Sequence, residues 1–278
     1  MFWYQLKLAY RSISKNKFIS LFNILGLGIA LAGIMIILSW VSHEFSYDEF
    51  FDNKEKIYRI NFNGVNNNKT VKSSTSPQGV GPEALAVFPQ VKNFTRIRFQ
   101  MNTPFKVGEH FSYVDKGLAA DSTFFSVLSY KVRFGDLSKA LNSKDLVVID
   151  EYLAEKYFEV ENPIGKGIKI GNHDYTVSAV IKNVPENSHL QFHFVIPVLN
   201  LPNHWHNQKW GSDNCTQYLV LNENIRKAEL EDKLTQMLYE KNSIWKEYKA
   251  KLALQPLDDI YFSEDYLFDN AEKGNLQN

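Results

Sequence analysis

The sequence predicts an α+β domain outside the cytoplasm, attached to one membrane-spanning helix at its N-terminal end. Residues 18–43 contain no Lys, Arg, Asp or Glu, and a spanning helix needs about 20 mostly apolar residues. Beyond this run, strand-like and helix-like segments follow one another without the strand–helix–strand rhythm of a parallel α/β fold. We see no internal repeat and no low-complexity segment, so we expect a globular domain.

The first segment, residues 1–17, is predicted to be a short amphipathic helix in the cytoplasm. Trp3 and Tyr4 suit the headgroup layer of a membrane. The basic residues fall largely off the apolar face, which comprises Phe2, Leu6, Ala9, Tyr10 and Ile13. The alternative is a frayed cytoplasmic tail.

Residues 18–42 are predicted to span the membrane. The run is too long for the apolar region of a signal peptide, and residues 38–43 offer no small-residue cleavage site. Four basic residues precede the run, and Glu44, Asp48 and Glu49 follow it. The positive-inside rule therefore predicts a cytoplasmic N-terminus, with the following residues outside the cytoplasm.

Small residues in the spanning segment favour contact with another helix. Small side chains let two helix backbones approach closely in a membrane. The candidate packing face comprises Gly26, Gly28, Ala30 and Gly33. The alternative is a plain lipid-facing tether, because glycine is common in membrane helices.

The segment after the spanning run is predicted to be a rigid stalk between membrane and domain. It contains no Gly or Pro, so we expect the helix to continue through Glu44, Tyr47, Asp48 and Phe50. Glu44 and Asp48 would then share one helix face. The alternative is that these residues only anchor the helix end at the interface.

Residues 43–278 are predicted to form the domain outside the cytoplasm. Turn residues and apolar periodicity predict helices over 77–88, 151–158 and 225–248. The turns are predicted at 64–69, 162–165 and 171–172. The predicted strands cover residues 56–63, 91–99, 105–114, 146–150, 168–170, 175–181, 192–198, 216–221 and 251–254.

Charge and side-chain chemistry exclude several functions. After residue 17 the chain has 27 basic and 31 acidic residues, a net charge of −4. This lacks the excess of basic residues that is typical of nucleic-acid-binding proteins. Cys215 is the only cysteine, so no intrachain disulfide can form. We find no Walker loop, nucleophile elbow or zinc-protease motif, and we predict no catalytic residue and no cofactor.

Four histidines lie close together in the sequence: His189, His193, His204 and His206. A metal site needs three or four ligands that converge in space. The strand-like pattern around Phe192–Val198 argues against a shared helix face. We therefore interpret the four as surface histidines and predict no metal site.

The order of short motifs resembles the MacB/FtsX-like permease family of ABC transporters, in the form common in Bacteroidetes. No single motif is specific, but their shared order covers nearly the whole chain. The matching segments are Asn16–Phe18, Asn23–Gly28, Glu44–Phe50, Ile57–Ile60, Ala120–Phe125, Gly135–Asp136, Asn162–Lys166, Tyr175–Val177, Val184–His189 and Leu254–Tyr261.

The resemblance implies an α+β periplasmic core with a porter-like part and a smaller inserted part at about residues 120–185. It also implies a location in the bacterial inner membrane, a second permease copy, as a homo- or heterodimer, and a cytoplasmic ABC ATPase. In this family ATP binding on one side moves the periplasmic domains on the other, which is mechanotransmission. Family roles include efflux of drugs and antimicrobial peptides, lipoprotein release and control of cell-wall hydrolases. Membrane lipid and other periplasmic proteins are further expected partners.

Members of the family have at least three further spanning helices. The sequence shows none, so we interpret the chain as a fragment or a gene piece that comprises the first helix and its periplasmic core. One alternative is a membrane-tethered periplasmic binding or sensor domain with no ATPase partner. A second alternative, an anchored periplasmic enzyme, would need a convergent polar site that the sequence does not offer.

Overall fold

The computed structural model describes residues 2–66, 69–158, 162–202, 205, 209–222, 225–264 and 266–274. Within it, the chain divides into two compact units, Met1–Ser46 and Tyr47–Asn278. Each unit has its own architecture.

The first unit consists of two helices, α1 (Phe2–Lys15) and α2 (Lys17–Glu44). Both predicted helices are therefore present. Within the described residues, α2 is the one helix that is long and apolar enough to cross a membrane. None of its side chains is buried in the chain, as expected for a helix whose surroundings are lipid or other helices.

The predicted continuation of this helix through residue 50 is wrong. The helix ends at Glu44, and residues 45–50 form turns. Asp48 has a φ of 59°, a left-handed conformation that no α-helix contains and that Asp adopts more readily than most residues. Glu44 and Asp48 therefore do not share a helix face.

The second unit is built on strands that join into one sheet. The described strands are β1 (Ile57–Asn66), β2 (Lys69–Ser73), β3 (Val91–Gln100), β4 (Thr103–Val107), β5 (His110–Val114), β6 (Gly117–Ala120), β7 (Val132–Gly135), β8 (Leu146–Asp150), β9 (Gly167–Ile170), β10 (His173–Ile181), β11 (Phe194–Pro197), β12 (Thr216–Leu221) and β13 (Lys251–Pro256).

Five helices accompany the sheet: α3 (Val80–Val87), α4 (Phe124–Val127), α5 (Glu151–Tyr157), α6 (Lys227–Lys241) and α7 (Ile244–Glu247). Asp150 caps α5, since its side chain accepts a hydrogen bond from the Leu153 N–H at 2.9 Å. Short 3-10 turns lie at Lys54–Lys56, Val198–Asn200 and Leu257–Asp259.

The strand order is β13-β1-β12-β3-β6-β11-β8-β10-β9-β4-β5, with β2 paired to β1 and β7 paired to β10. The β6–β11 and β8–β10 pairs are parallel, and the other described pairs are antiparallel. This combination of helices with a mostly antiparallel sheet confirms the predicted α+β class.

Three apolar cores stabilise the sheet. One packs α3 and α6 against β1, β12 and β13, with Leu234 and Trp245 buried. A second packs α5 and Trp205 against β8, β10 and β11. The third surrounds α4 and includes Phe51, Tyr130 and Tyr218. This third core holds the site described below.

Several element predictions need correction. The strand predicted over 105–114 is the hairpin β4–β5, because Gly108 turns the chain with a φ of 56°. Gly64, predicted in a turn, lies within β1. The single helix predicted over 225–248 is interrupted at Asn242, whose extended backbone (φ −156°) separates α6 from α7. Strands β2, β6 and β7 were not predicted.

Candidate functional site

The first residues of the second unit are locked into its core by Asp48. The Asp48 backbone N–H donates to the Asn187 carbonyl at 2.9 Å. Its Oδ1 accepts from the His189 N–H at 3.1 Å and from Ser188 Oγ at 3.3 Å. The residue is 1% exposed, and a buried carboxylate is tolerated only with partners of this kind.

His189 extends this contact to the sheet. Its Nε2 lies 2.8 Å from the Tyr218 hydroxyl on β12. Its Nδ1 lies 2.8 Å from Asp48 Oδ2, within ion-pair distance, although the N–H direction is poorly aligned for a hydrogen bond. Burial raises the pKa of the Tyr218 phenol, so this hydroxyl stays protonated and can donate to Nε2.

Aromatic contacts hold the same segment on both sides of Asp48. The Tyr47 ring stacks on the Tyr261 ring with centroids 3.4 Å apart. Phe51 meets Tyr130 edge-on at 5.3 Å, and Phe50 packs at the margin of the same core. Burial raises the pKa of Tyr130 well above its usual value. Aromatic pairs of this kind add to the stabilisation from buried area.

The segment 266–274 returns to the same place. The Glu272 N–H donates to the His189 carbonyl at 2.9 Å, and the Gly274 N–H donates to the Tyr261 carbonyl at 2.9 Å. The loop 185–189 therefore contacts residues 47–51 through Asp48 and residues 266–274 through Glu272. Both ends of the second unit's described fold meet at one loop.

A buried ion pair fastens the returning segment to the sheet. The Arg59 guanidinium on β1 donates to both carboxylate oxygens of Asp269, at 2.9 and 3.1 Å. Arg59 also bonds Gln255 on β13, and Lys273 Nζ lies 2.9 Å from Asp269 Oδ2. Burial alone would raise the pKa of Asp269, but Arg59 and Lys273 outweigh it and hold that pKa below its usual value.

The four stalk residues therefore have different surroundings from those predicted. Tyr47, Asp48 and Phe50 lie in the second unit, where they contact Tyr261, the 187–189 loop and Tyr130 respectively. Glu44 is the last residue of α2. Their predicted role as a coupling element remains a hypothesis.

The candidate packing residues of α2 are exposed and have space around them within this chain. A Cβ added at Gly26, Gly28 or Gly33 would meet no other atom within 4 Å. Ala30 is likewise exposed. Their predicted role in helix contacts is proposed again below.

The prediction that the histidines lie on the surface is wrong for His189, which is 0% exposed. His193 is partly exposed, and its Nδ1 lies 2.7 Å from Asp150 Oδ2. His204 and His206 lie outside the described residues. Among the residues that the structure describes, no three His, Cys, Asp or Glu side chains converge as metal ligands.

Sequence reasoning did not identify the partners in this site. Asp48 and His189 are 141 residues apart, and Arg59 and Asp269 are 210 apart. The alternation in β1 gave no signal for the buried arginine. It places Arg59 on the same face as Asn61 and Asn63, opposite Ile60, and such a polar face is normally read as exposed.

Comparison with solved structures shows that the fold is shared. A domain of a predicted permease protein from Porphyromonas gingivalis matches 81% of this chain and 96% of its own, with a TM-score of 0.66 and 19% identity. The periplasmic region of MacB from Actinobacillus actinomycetemcomitans matches 73% of this chain and 90% of its own, with a TM-score of 0.51 and 17% identity. No curated protein sequence matches the chain.

The amino-acid sequence also matches a protein-family model. The model describes the MacB-like periplasmic core domain, and it matches residues 20–237, well over half of the chain. The match includes residues 20–44 of α2, Asp48 and the 185–189 loop. The resemblance inferred from the motifs is therefore confirmed, and the chain belongs to the family of MacB-like periplasmic core domains.

Proposed function

We propose that this chain works in an ABC transporter permease and couples ATP hydrolysis by a partner ATPase in the cytoplasm to movement of the second unit in the periplasm. Membership of the MacB-like family supports a permease-type role. The movement would drive export of peptides, drugs or lipoproteins. A second permease copy would complete a homo- or heterodimer.

The observation that carries this proposal is the fixation of Asp48. Only two residues, Phe45 and Ser46, separate the end of α2 from the second unit. Asp48 is hydrogen-bonded to the 187–189 loop, and the same loop is hydrogen-bonded to Glu272. A displacement of the helix end would thus reach a buried network after a short connection, whereas a long flexible linker would dissipate it.

The test of coupling is a flexible insertion. Inserting Gly-Gly-Ser after Ser46 in the complete permease is expected to leave expression and ATP hydrolysis unchanged but to abolish export. The added residues can absorb a displacement before it reaches Asp48. ATPase activity and export would be measured on the same reconstituted transporter.

A matched control is the same insertion after Gly108, at the exposed tip of the β4–β5 hairpin. Loop tips of this kind tolerate insertions, so export should persist. Undiminished export with the insertion after Ser46 would show that this segment is only an anchor. Failure of any ABC ATPase to copurify would favour the membrane-tethered sensor instead.

The proposed orientation places the N-terminus in the cytoplasm. Lys7, Arg11, Lys15 and Lys17 precede the apolar run and support this choice. Alkaline phosphatase fused after Gln90 is expected to be active in a bacterial host, because that enzyme folds only outside the cytoplasm. An active cytoplasm-only reporter at the same position would reverse the assignment.

The proposed dimer gives the open glycines of α2 a role. Gly28→Leu is expected to weaken crosslinking between permease copies severalfold, since the larger side chain blocks close approach of two backbones. Membrane insertion should be intact, because Leu favours lipid. Gly33→Leu tests the extent of the face, and Ile36→Leu is the control. Unchanged crosslinking in Gly28→Leu would indicate a plain tether.

A further inference from the structure

Two adjoining cavities lie in the second unit, and neither is lined by Asp48 or His189. The first, of about 380 Å³, lies where β3 extends past the end of β12. The second, of about 410 Å³, lies between β1, β2 and α7. Both are lined by Ser212, Asp213 and Phe268, so a single ligand could occupy the two together.

Hydrogen bonds fix the shared wall. Thr75 Oγ1 donates to the Asp213 carbonyl at 2.8 Å. Ser74 Oγ donates to the Phe268 carbonyl at 3.0 Å. Phe268 has a φ of 57° and is 68% exposed. A bulky residue rarely adopts that backbone conformation, and where it does the strain is often connected with function.

The first cavity is lined by two charges of opposite sign, Arg98 and Asp213. Within the described residues neither forms an ion pair with the other or with a third residue. Burial raises the pKa of Asp213, although hydrogen bonds from Ser73 and its own backbone oppose this. A bound cation would offset the cost of that burial.

The second cavity is largely apolar. Asp213 is the one charged residue among those that line it, and its walls are formed by Phe62, Val71, Trp245, Tyr248, Leu267 and Phe268. Ile244, Leu267 and Phe268 are also exposed at its rim. An exposed apolar patch rimmed by polar groups marks a binding site more often than chance.

We propose that the two cavities bind a zwitterionic phospholipid, with its phosphate at Arg98, its ammonium at Asp213 and an acyl chain in the apolar cavity. Arginine binds phosphate oxygens bidentately. The ammonium neutralises the unpaired carboxylate and lies near the aromatic ring of Phe268, which attracts cations. This inference is independent of the coupling role proposed above.

A peptide fits the apolar cavity less well. Each backbone amide of a peptide needs hydrogen-bond partners when it leaves water. The aromatic and aliphatic side chains of this cavity supply few of them, whereas an acyl chain needs none. The charges and the apolar walls together therefore favour a lipid.

The test uses the full chain in amphipol and the short-chain lipid dihexanoyl-phosphatidylethanolamine, with Trp fluorescence as the readout, since Trp245 lines the cavity. We expect saturable binding. Dihexanoyl-phosphatidylglycerol, which lacks the ammonium, should bind at least tenfold more weakly, as should glycerophosphoethanolamine, which lacks the chains. Hydrogen bonds to charged groups are strong enough for a loss of this size.

Two variants test the protein side of the contact. Arg98→Gln and Asp213→Asn should each weaken phosphatidylethanolamine binding at least tenfold, and Asp213→Asn should abolish the preference over phosphatidylglycerol. Lys92→Gln and Asp115→Asn, at exposed sites outside the cavities, should bind like the parent. If a variant does not fold, the affinities of the parent chain for phosphatidylethanolamine and phosphatidylglycerol still test the proposal. Equal affinity for the two lipids, or equally tight binding of trileucine, would overturn the proposal.

Discussion

Replacing Arg59 with alanine is expected to lower the free energy of unfolding of the second unit by about 3–5 kcal/mol. The change leaves the Asp269 carboxylate buried, with Lys273 as its remaining cation. It also removes the donors to Gln255. Urea unfolding of the full chain in detergent, followed by Trp fluorescence, measures the loss.

The matched control is Lys233→Ala. Lys233 forms an exposed i,i+4 pair with Glu229 on α6, and such pairs contribute less than about 1 kcal/mol. The double variant Arg59→Met/Asp269→Leu should recover much of the stability lost in Arg59→Ala, since apolar residues can replace a buried ion pair. A loss below about 1 kcal/mol in Arg59→Ala would contradict the buried pair.

The same pair predicts a dependence on pH. The pKa of Asp269 is lowered in the folded state, so its contribution is fully present above the unfolded value, about 3.9. The contribution is lost as pH falls from there through the folded pKa. Asp269→Asn should remove this part of the acid sensitivity. An unchanged slope of stability against pH below about 4 in that variant would show that other carboxylates dominate.

The elements predicted correctly are those specified by neighbouring residues. Strand β8 and helix α5 follow one another across the capping residue Asp150, and the β9–β10 hairpin turns at Gly171, which has a φ of 59°. Capping and turn chemistry act over a few residues, so a single sequence contains the whole signal.

The elements missed depend on contacts between distant segments. Strand β6 has the sequence Gly-Leu-Ala-Ala, which has little strand propensity. It is a strand because it lies between β3 and β11 and is wholly buried. The helix at residues 45–50 was predicted because no Gly or Pro interrupts it. There the tertiary contacts of Asp48 and Tyr47 outweigh helix propensity.

Replacing Asp48 with alanine is expected to destabilise the second unit by about 3 kcal/mol. It leaves the buried His189 N–H without its acceptor and the imidazole without the neighbouring carboxylate. Asp48→Asn should cost about 1 kcal/mol, because Asn keeps an acceptor at Oδ1 and tolerates the left-handed backbone. The control is Asp52→Asn, because Asp52 lies four residues after Asp48 and is exposed. This change should alter the free energy of unfolding by no more than about 0.5 kcal/mol.

The milder variant also separates stability from coupling. In the complete transporter, Asp48→Asn should fold and hydrolyse ATP at the parental rate, while export falls because residues 47–51 are held less firmly to the 187–189 loop. A double-mutant cycle of Asp48→Ala with His189→Ala should give an interaction energy above about 1 kcal/mol, as expected for buried residues in one network. An additive cycle would show that the two residues act separately. Parental export in Asp48→Asn, together with an additive cycle, would mean that this contact does not transmit movement from the helix to the domain.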